Sequence, residues 1–294
     1  MLERINHPLI PEIFAQINNF ADDIITIDQF CERYGEAPDE VRHYDVYLIQ
    51  TKTKGYILKK TDEAEREIYQ KYLKDKQLPV PAYYGDLQTD QGTWILLEQI
   101  AGHDVREVTD QIAAAAADSL SKIANAYWQQ TDIPDSRFDR YWERINRRAL
   151  AIKDDARLSQ AYQLFIDRQK SCPRTLSNGD FLQWNALWTG REVKIIDWGF
   201  GGMMPYSLDI ARFIAHGTED QRLFPFYMTQ AQKKIFVDCM YEKLIHKPER
   251  KQYILDIKLA VLNEYIEFIE ADEDDNHDYY QLAISLAEDL LSSK

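Results

Sequence analysis

The apolar positions divide the chain into a strand-rich first third and a helix-rich remainder. Val46-Tyr47-Leu48-Ile49 and Tyr56-Ile57-Leu58-Lys59 are short apolar runs separated by Thr51-Lys52-Thr53-Lys54-Gly55, the pattern of two strands and their connection. From Asp62 to Leu73 the chain is rich in Glu, Lys and Ala, with Ile68, Tyr69 and Tyr72 at i+3, i+4 and i+7 from Glu65. That spacing predicts a helix with Glu65 on its inward stripe and Glu67 on the solvated side. Pro79-Val80-Pro81 ends the unit, since proline continues neither a helix nor a paired strand. Thr93 to Glu98 is a further apolar strand, stopped at Ala101-Gly102.

Beyond it, apolar residues recur at helical spacing over 111–129, 137–151 and 157–169. One β-rich island interrupts them: Asn185-Ala186-Leu187-Trp188, a Thr189-Gly190 turn, then Glu192 to Asp197. Helices are expected again from Ser207 to the end. The order predicts an α+β fold in two lobes, a β-rich one over 1–98 and a helical one carrying the hairpin over 99–294.

Length agrees, since 294 residues exceed what one small core needs. The balance of 49 acids against 35 bases gives a net charge of −14, which argues against nucleic acid or an anionic membrane as partner. It suits a cationic substrate, or simply solubility. Cys31, Cys172 and Cys239 are far apart, form no CxxC or Cys/His motif, and are expected to fill apolar space. The opening MLERINHPLIPEIF is unlike a signal peptide. No run approaches the ~20 apolar residues that cross a bilayer. A cytoplasmic location is expected.

The densest chemistry lies around the island. Asn178-Gly179-Asp180 precedes Asn185, and Ile195-Ile196-Asp197-Trp198-Gly199 closes the second strand. Phosphoryl transfer needs a carboxylate to orient a hydroxyl, and oxygen ligands for a metal on the phosphates. Asp180, Asn185 and Asp197 offer that set, and magnesium is satisfied by a few such oxygens plus phosphate and water.

The stretch NGDFLQWN…IDWGFGGMMPYSLDIARF resembles the signature of aminoglycoside phosphotransferases, choline/ethanolamine kinases and their bacterial relatives. The resemblance runs from about residue 40 to about 215 and implies a protein-kinase-like fold using ATP and Mg²⁺. It implies Asp180 as base, Asn185 and Asp197 as Mg²⁺ ligands, and Asp209 as an acid bracing the catalytic loop. In the first lobe it implies a strand lysine paired with a helix glutamate. The apolar-Leu-Lys pattern favours Lys59, with Lys60 on the opposite face and Glu65 as partner. Glu98 and Ile100 would bind adenine through a backbone carbonyl and amide.

Three positions depart from the family pattern. Asn178 stands where histidine is usual. The phosphate-covering segment, Pro38 to Asp45, has no glycine, and Arg42 and His43 are the residues there that would compensate. The helix before the catalytic lobe ends Ile123-Ala124-Asn125-Ala126-Tyr127, where relatives often have Leu-His. The expected activity is transfer of the ATP γ-phosphate to a small-molecule hydroxyl. Glu264, Glu267 and Glu270, at i, i+3 and i+6, and the run Asp272 to Asp275 offer an amine-bearing acceptor carboxylates, or are plain surface. Tyr265, Tyr279 and Tyr280 read as core or rim. The alternatives are an inactive kinase-like nucleotide-binding module and a metal-dependent hydrolase. Scattered histidines disfavour the hydrolase.

Overall fold

The computed structural model describes residues 1–18, 23–33, 41–129, 136–220, 225–271 and 278–292. They divide into two compact units, Met1–Ala101 and Gly102–Lys294.

The first unit is a six-stranded antiparallel sheet. Its strands are β1 (Leu2–Arg4), β2 (Ile24–Arg33), β3 (Val41–Thr51), β4 (Gly55–Thr61), β5 (Tyr83–Thr89) and β6 (Gly92–Glu98), ordered β1-β2-β3-β4-β6-β5. Helix α1 (Leu9–Ile17) buries Ile10, Ile13, Phe14 and Ile17, one helical stripe, against Tyr47, Ile49, Tyr56, Leu58, Trp94 and Leu96 of the sheet. Pro11 falls in its first turn, where the missing N–H costs nothing. The β1-β2-β3 register also gathers Glu3, Cys31 and His43, whose ligand atoms lie within 4.8 Å of one another. Strand pairing makes this group; no sequence motif announces it.

After β4, Asp62 caps α2 (Glu63–Glu67) by accepting from the Glu65 amide at 2.8 Å. The expected single helix over 62–73 is instead α2 followed by a π-helical turn over Ile68–Leu73. The wider turn rotates the later residues, so Leu73 is buried and Tyr72 is only half-buried, contrary to the predicted stripe.

The second unit is helical around three small sheets among the described residues, one of them the short parallel pair of Gly217–Thr218 with Phe226–Tyr227. Strands β7 (His103–Asp104), β9 (Ala186–Trp188) and β10 (Val193–Ile195) pair in the order β10-β9-β7, and β8 (Arg174–Ser177) pairs with β11 (Gly202–Pro205). The hairpin β9–β10 is the expected island, turned at Gly190 with φ +86°. Strands β7, β8 and β11 were not expected. Helices are α3 (Asp110–Tyr127), α4 (Ser136–Ala151), α5 (Ala156–Gln169), α6 (Ser207–Ala215), α7 (Gln230–Lys243), α8 (Arg250–Glu270) and α9 (Asp278–Ser292). Thr109 caps α3, whose Ile112, Ala113, Ala116, Ala117, Leu120, Ile123 and Ala124 are all buried. The small alanines let α3 sit close to its neighbours. Asn125 donates to the Lys243 carbonyl and accepts from the Ile245 amide, tying the end of α7 to α3. Helices α4, α5, α8 and α9 share a core that includes Ile145, Phe165, Leu262 and Ala287.

The three cysteines are free, Cys31 and Cys172 buried and Cys239 partly so. Among the described residues no helix is long and apolar enough to cross a membrane.

Candidate active site

The loop leaving β8 is held from behind by α6. Asp209, in the first turn of α6, is buried and accepts from Ser177 Oγ at 2.7 Å, the Asn178 amide at 2.8 Å and the Gly179 amide at 3.1 Å. Burial pushes its carboxyl up to about 6, against the lowering effect of those three donors. Gly179 is required there: its φ is +79°, and a Cβ would stand 2.2 Å from the Phe200 carbonyl oxygen.

Asn178, the departure from the usual histidine, is fully buried and works as a clamp. Its Nδ2 donates to the carbonyls of Ile196 at 3.1 Å and Asp197 at 2.9 Å, while its Oδ1 accepts from the Asp180 amide at 3.3 Å. The loop bearing Asp180 is thereby tied to the strand end bearing Asp197. Asp197 itself is exposed with φ +56°, a left-handed conformation that aspartate tolerates better than most residues. The Ile196 amide donates to the Asn185 carbonyl at 2.9 Å, closing the same frame.

The structure thus brings Asp180, Asn185 and Asp197 together in one unit. Asn185 Nδ2 donates to the Asp180 carbonyl at 2.8 Å and to its Oδ2 at 3.1 Å. Arg212, one turn beyond Asp209 on α6, donates to Asp180 Oδ1 through Nε at 3.1 Å and Nη2 at 2.9 Å. Burial raises the Asp180 carboxyl above the usual range and the nearby Asp197 charge adds to this, while Arg212 works the other way.

Arg212 was not anticipated, although its i+3 spacing from Asp209 was visible. Its Nη1 donates to Glu264 Oε2 at 2.7 Å and Glu267 Oε2 at 3.2 Å. Burial opposes its charge, but Glu264, Glu267 and Asp180 outweigh that and hold it protonated. Glu264 also faces His216 Nε2 at 3.3 Å. Burial disfavours its charge, yet Arg212 and His216 keep it ionised. Arg148 Nη2 lies 2.8 Å from Glu267, and Arg147 Nε donates to Glu270 at 2.5 Å.

The expectation that Glu264, Glu267 and Glu270 offer carboxylates to an amine therefore needs correcting. They face arginines from α4 and α6, a pairing that spacing along α8 does not reveal. Asp272 to Asp275 lie outside the described residues. Tyr279 is buried, with Tyr265 and Tyr280 partly so. A cavity of about 180 Å³ opens beside Asp180, its walls including Tyr141, Arg144, Arg148, Phe200, Arg212 and Glu267.

In the first unit, Lys59 Nζ donates to Glu65 Oε1 at 2.8 Å, and Thr61 Oγ1 donates to the other oxygen of Glu65. Glu65 is only 2% exposed. Lys60 lies on the other face of β4, 3.6 Å from Asp45, and Glu67 pairs with Lys71 at 2.7 Å on the surface. Glu98 ends β6, its carboxylate accepting from the Ala82 amide at 3.1 Å, and Ile100 follows outside the sheet. Of the phosphate-covering segment, residues 38–40 lie outside the described residues. Residues 41–45 begin β3, with Arg42 stacked on Tyr44 and His43 facing Glu3 at 2.9 Å.

No curated protein sequence matches this chain. Solved structures do match in fold. The amicoumacin kinase in complex with AMP-PNP, Ca²⁺ and Ami gives a TM-score of 0.59 at 12% identity over 90% of this chain and 88% of its own. The Plasmodium vivax ethanolamine kinase gives 0.57 at 13% identity, covering 91% and 82%. An aminoglycoside phosphotransferase from Alicyclobacillus acidocaldarius gives 0.57 at 13% identity, covering 98% and 96%. The fold is protein-kinase-like. The sequence pattern described as the phosphotransferase enzyme family matches residues 36–234. That span exceeds half of the chain, and the chain belongs to this family.

Proposed function

We propose that the protein transfers the γ-phosphate of ATP, with Mg²⁺, to a hydroxyl of a small molecule. The observation that carries the reading is the setting of Asp180. Two bonds from Arg212 occupy Oδ1 and one from Asn185 reaches Oδ2, which leaves Oδ2 with accepting capacity for a hydroxyl proton. Arg212 keeps the carboxylate ionised against burial, and burial raises its basicity, the balance a general base needs.

The neighbouring donors fit a small hard cation. Asn185 spends its Nδ2 on Asp180, so its Oδ1 is the atom left for a ligand, and Asp197 adds an exposed carboxylate. Magnesium held there would neutralise phosphate charge in the transfer. Asn178 and Asp209 fix the two chain segments that carry these groups. In the first unit, Lys59, held by Glu65, is the residue for the nucleotide phosphates, and the backbone at Glu98 and Ile100 is the place for adenine.

The test is a screen of sugars, amino-sugars, amino-alcohols and hydroxy acids for acceptor-dependent ADP release. Release coupled to a phosphorylated product, abolished by chelating Mg²⁺, is expected. Tight ATP binding with no release for any acceptor would favour an inactive nucleotide-binding module.

A further inference from the structure

One wall of the Asp180 cavity has no part in this transfer, and it carries an arginine that makes no ion pair with any described residue. The wall is α4. Arg148 is buried there and engaged, donating to Asn263 Oδ1 at 2.9 Å and meeting Glu267 at 2.8 Å. Arg144, one turn earlier, lines the same cavity half-buried. Among the described residues it has no ion pair, and its Nε is buried without a hydrogen-bond partner. Burial, then the charge of Arg148, hold its guanidinium below the usual arginine range, with Glu267 and Glu264 working the other way from beyond ion-pair distance.

Every carboxylate on the cavity wall is already engaged. Asp180 takes Arg212, Glu264 takes Arg212 and His216, and Glu267 takes Arg212 and Arg148. Asp209 is turned into the loop, bound to its amides. A cationic acceptor would meet Arg144 and find the carboxylates already facing arginines or loop amides. A neutral acceptor would bury Arg144 further without compensation, which is costly. An anion gains a charge-assisted pair, bidentate where the fork allows. One guanidinium without a direct partner, set among carboxylates, suits a singly charged group better than a dianion.

Resting on the reading that Asp180 acts on a hydroxyl, we propose that the acceptor also carries a carboxylate, which pairs with Arg144. Arg144 then selects hydroxy acids over amines.

The test uses the full chain and matched probes. Gluconate, glucitol and glucamine share a six-carbon polyol chain and differ in their terminal charge; glycerate, glycerol and 3-amino-1,2-propanediol do the same with three carbons. Calorimetric affinities are measured for wild type, Arg144→Met and Arg144→Lys. In at least one series the carboxylate should bind wild type best and the amine worst. Arg144→Met should lose on the order of ten-fold in carboxylate affinity with little change for the neutral probe, Arg144→Lys should retain part, and salt should shrink the preference. Without ligand, Arg144→Met should melt no lower than wild type, because it removes a half-buried guanidinium that makes no direct pair. Should that variant not fold, Arg144→Gln carries the same comparison. Equal or better binding of the neutral or amine probes, no binding of either carboxylate, or a preference unchanged in both neutral variants would overturn the assignment. Binding needs no turnover: carboxylate selection without ADP release would remove the phosphotransfer reading alone, and turnover confined to amines would remove this one alone.

Discussion

Lys59 and Lys60 are neighbours on β4 with opposite surroundings, and the period of two along a strand is the whole reason. Lys59 reaches the buried Glu65, while Lys60 stands half in solvent near Asp45. Lys59→Met should therefore sharply weaken ATP use and Lys60→Met leave it nearly unchanged, as nucleotide titrations of both variants would show. A reversed order would contradict the assignment. Arg212 gives a second test. It is the cation that lowers the raised Asp180 carboxyl, so Arg212→Met should move that group further up. A base must be ionised, so the acid limb of the rate profile should shift to higher pH. The variant also leaves Glu264, Glu267 and Asp180 short of a buried counter-charge, a loss of about 3–5 kcal/mol by the usual cost of breaking such pairs. A pH–rate profile and thermal melts measure both. At this scale the sequence displayed the residues that occur in motifs, Asp180, Asn185, Asp197 and Asp209. It hid Arg212 and Arg144, whose meaning depends on helices 50 to 120 residues away.

Helix α6 organises the site by presenting Asp209 and Arg212 one turn apart, one to the loop backbone and the other to the Asp180 side chain. The pH dependence of stability follows from Asp209. Folding raises its carboxyl from the ordinary 3.8 to about 6, so between these values the folded state holds a proton that the unfolded state has released. Its contribution to stability is thus greatest below about pH 4, falls as pH rises to about 6, and is flat above, a change on the order of 2–3 kcal/mol. Asp209→Asn should lack that slope. It should also lose activity, since an amide cannot accept from Ser177 and both loop amides as the carboxylate does. Melting curves across that range check the first expectation. The long elements were legible because α3, α4 and α5 carry their apolar stripe over fourteen or more residues. Strands β8 and β11 were not, since three buried residues in one and four in the other have no alternation to read and the two strands lie far apart in sequence. The π-helical turn after α2 was also invisible, because its register depends on packing of Tyr69 and Leu73.

Across the whole molecule, the net charge is −14, and the proposed function assigns Lys59 and Glu65 of one compact unit to the nucleotide and Asp180, Asn185 and Asp197 of the other to the base and metal. Mg·ATP binding should therefore raise the melting temperature, by about 2.7 kcal/mol of stability at a hundred-fold excess over the dissociation constant. Asp197→Ala should reduce this shift far more with Mg²⁺ than with chelator. Equal losses in both conditions would place the metal elsewhere. The most direct test of the central claim is acceptor-dependent ADP release by wild type and Asp180→Asn, with the best acceptor of the screen. The amide keeps the size and the Arg212 neighbour but cannot take the hydroxyl proton. A fall in turnover of roughly 10²–10⁴ at unchanged Mg·ATP affinity is the expected result, and full activity in Asp180→Asn would contradict the account.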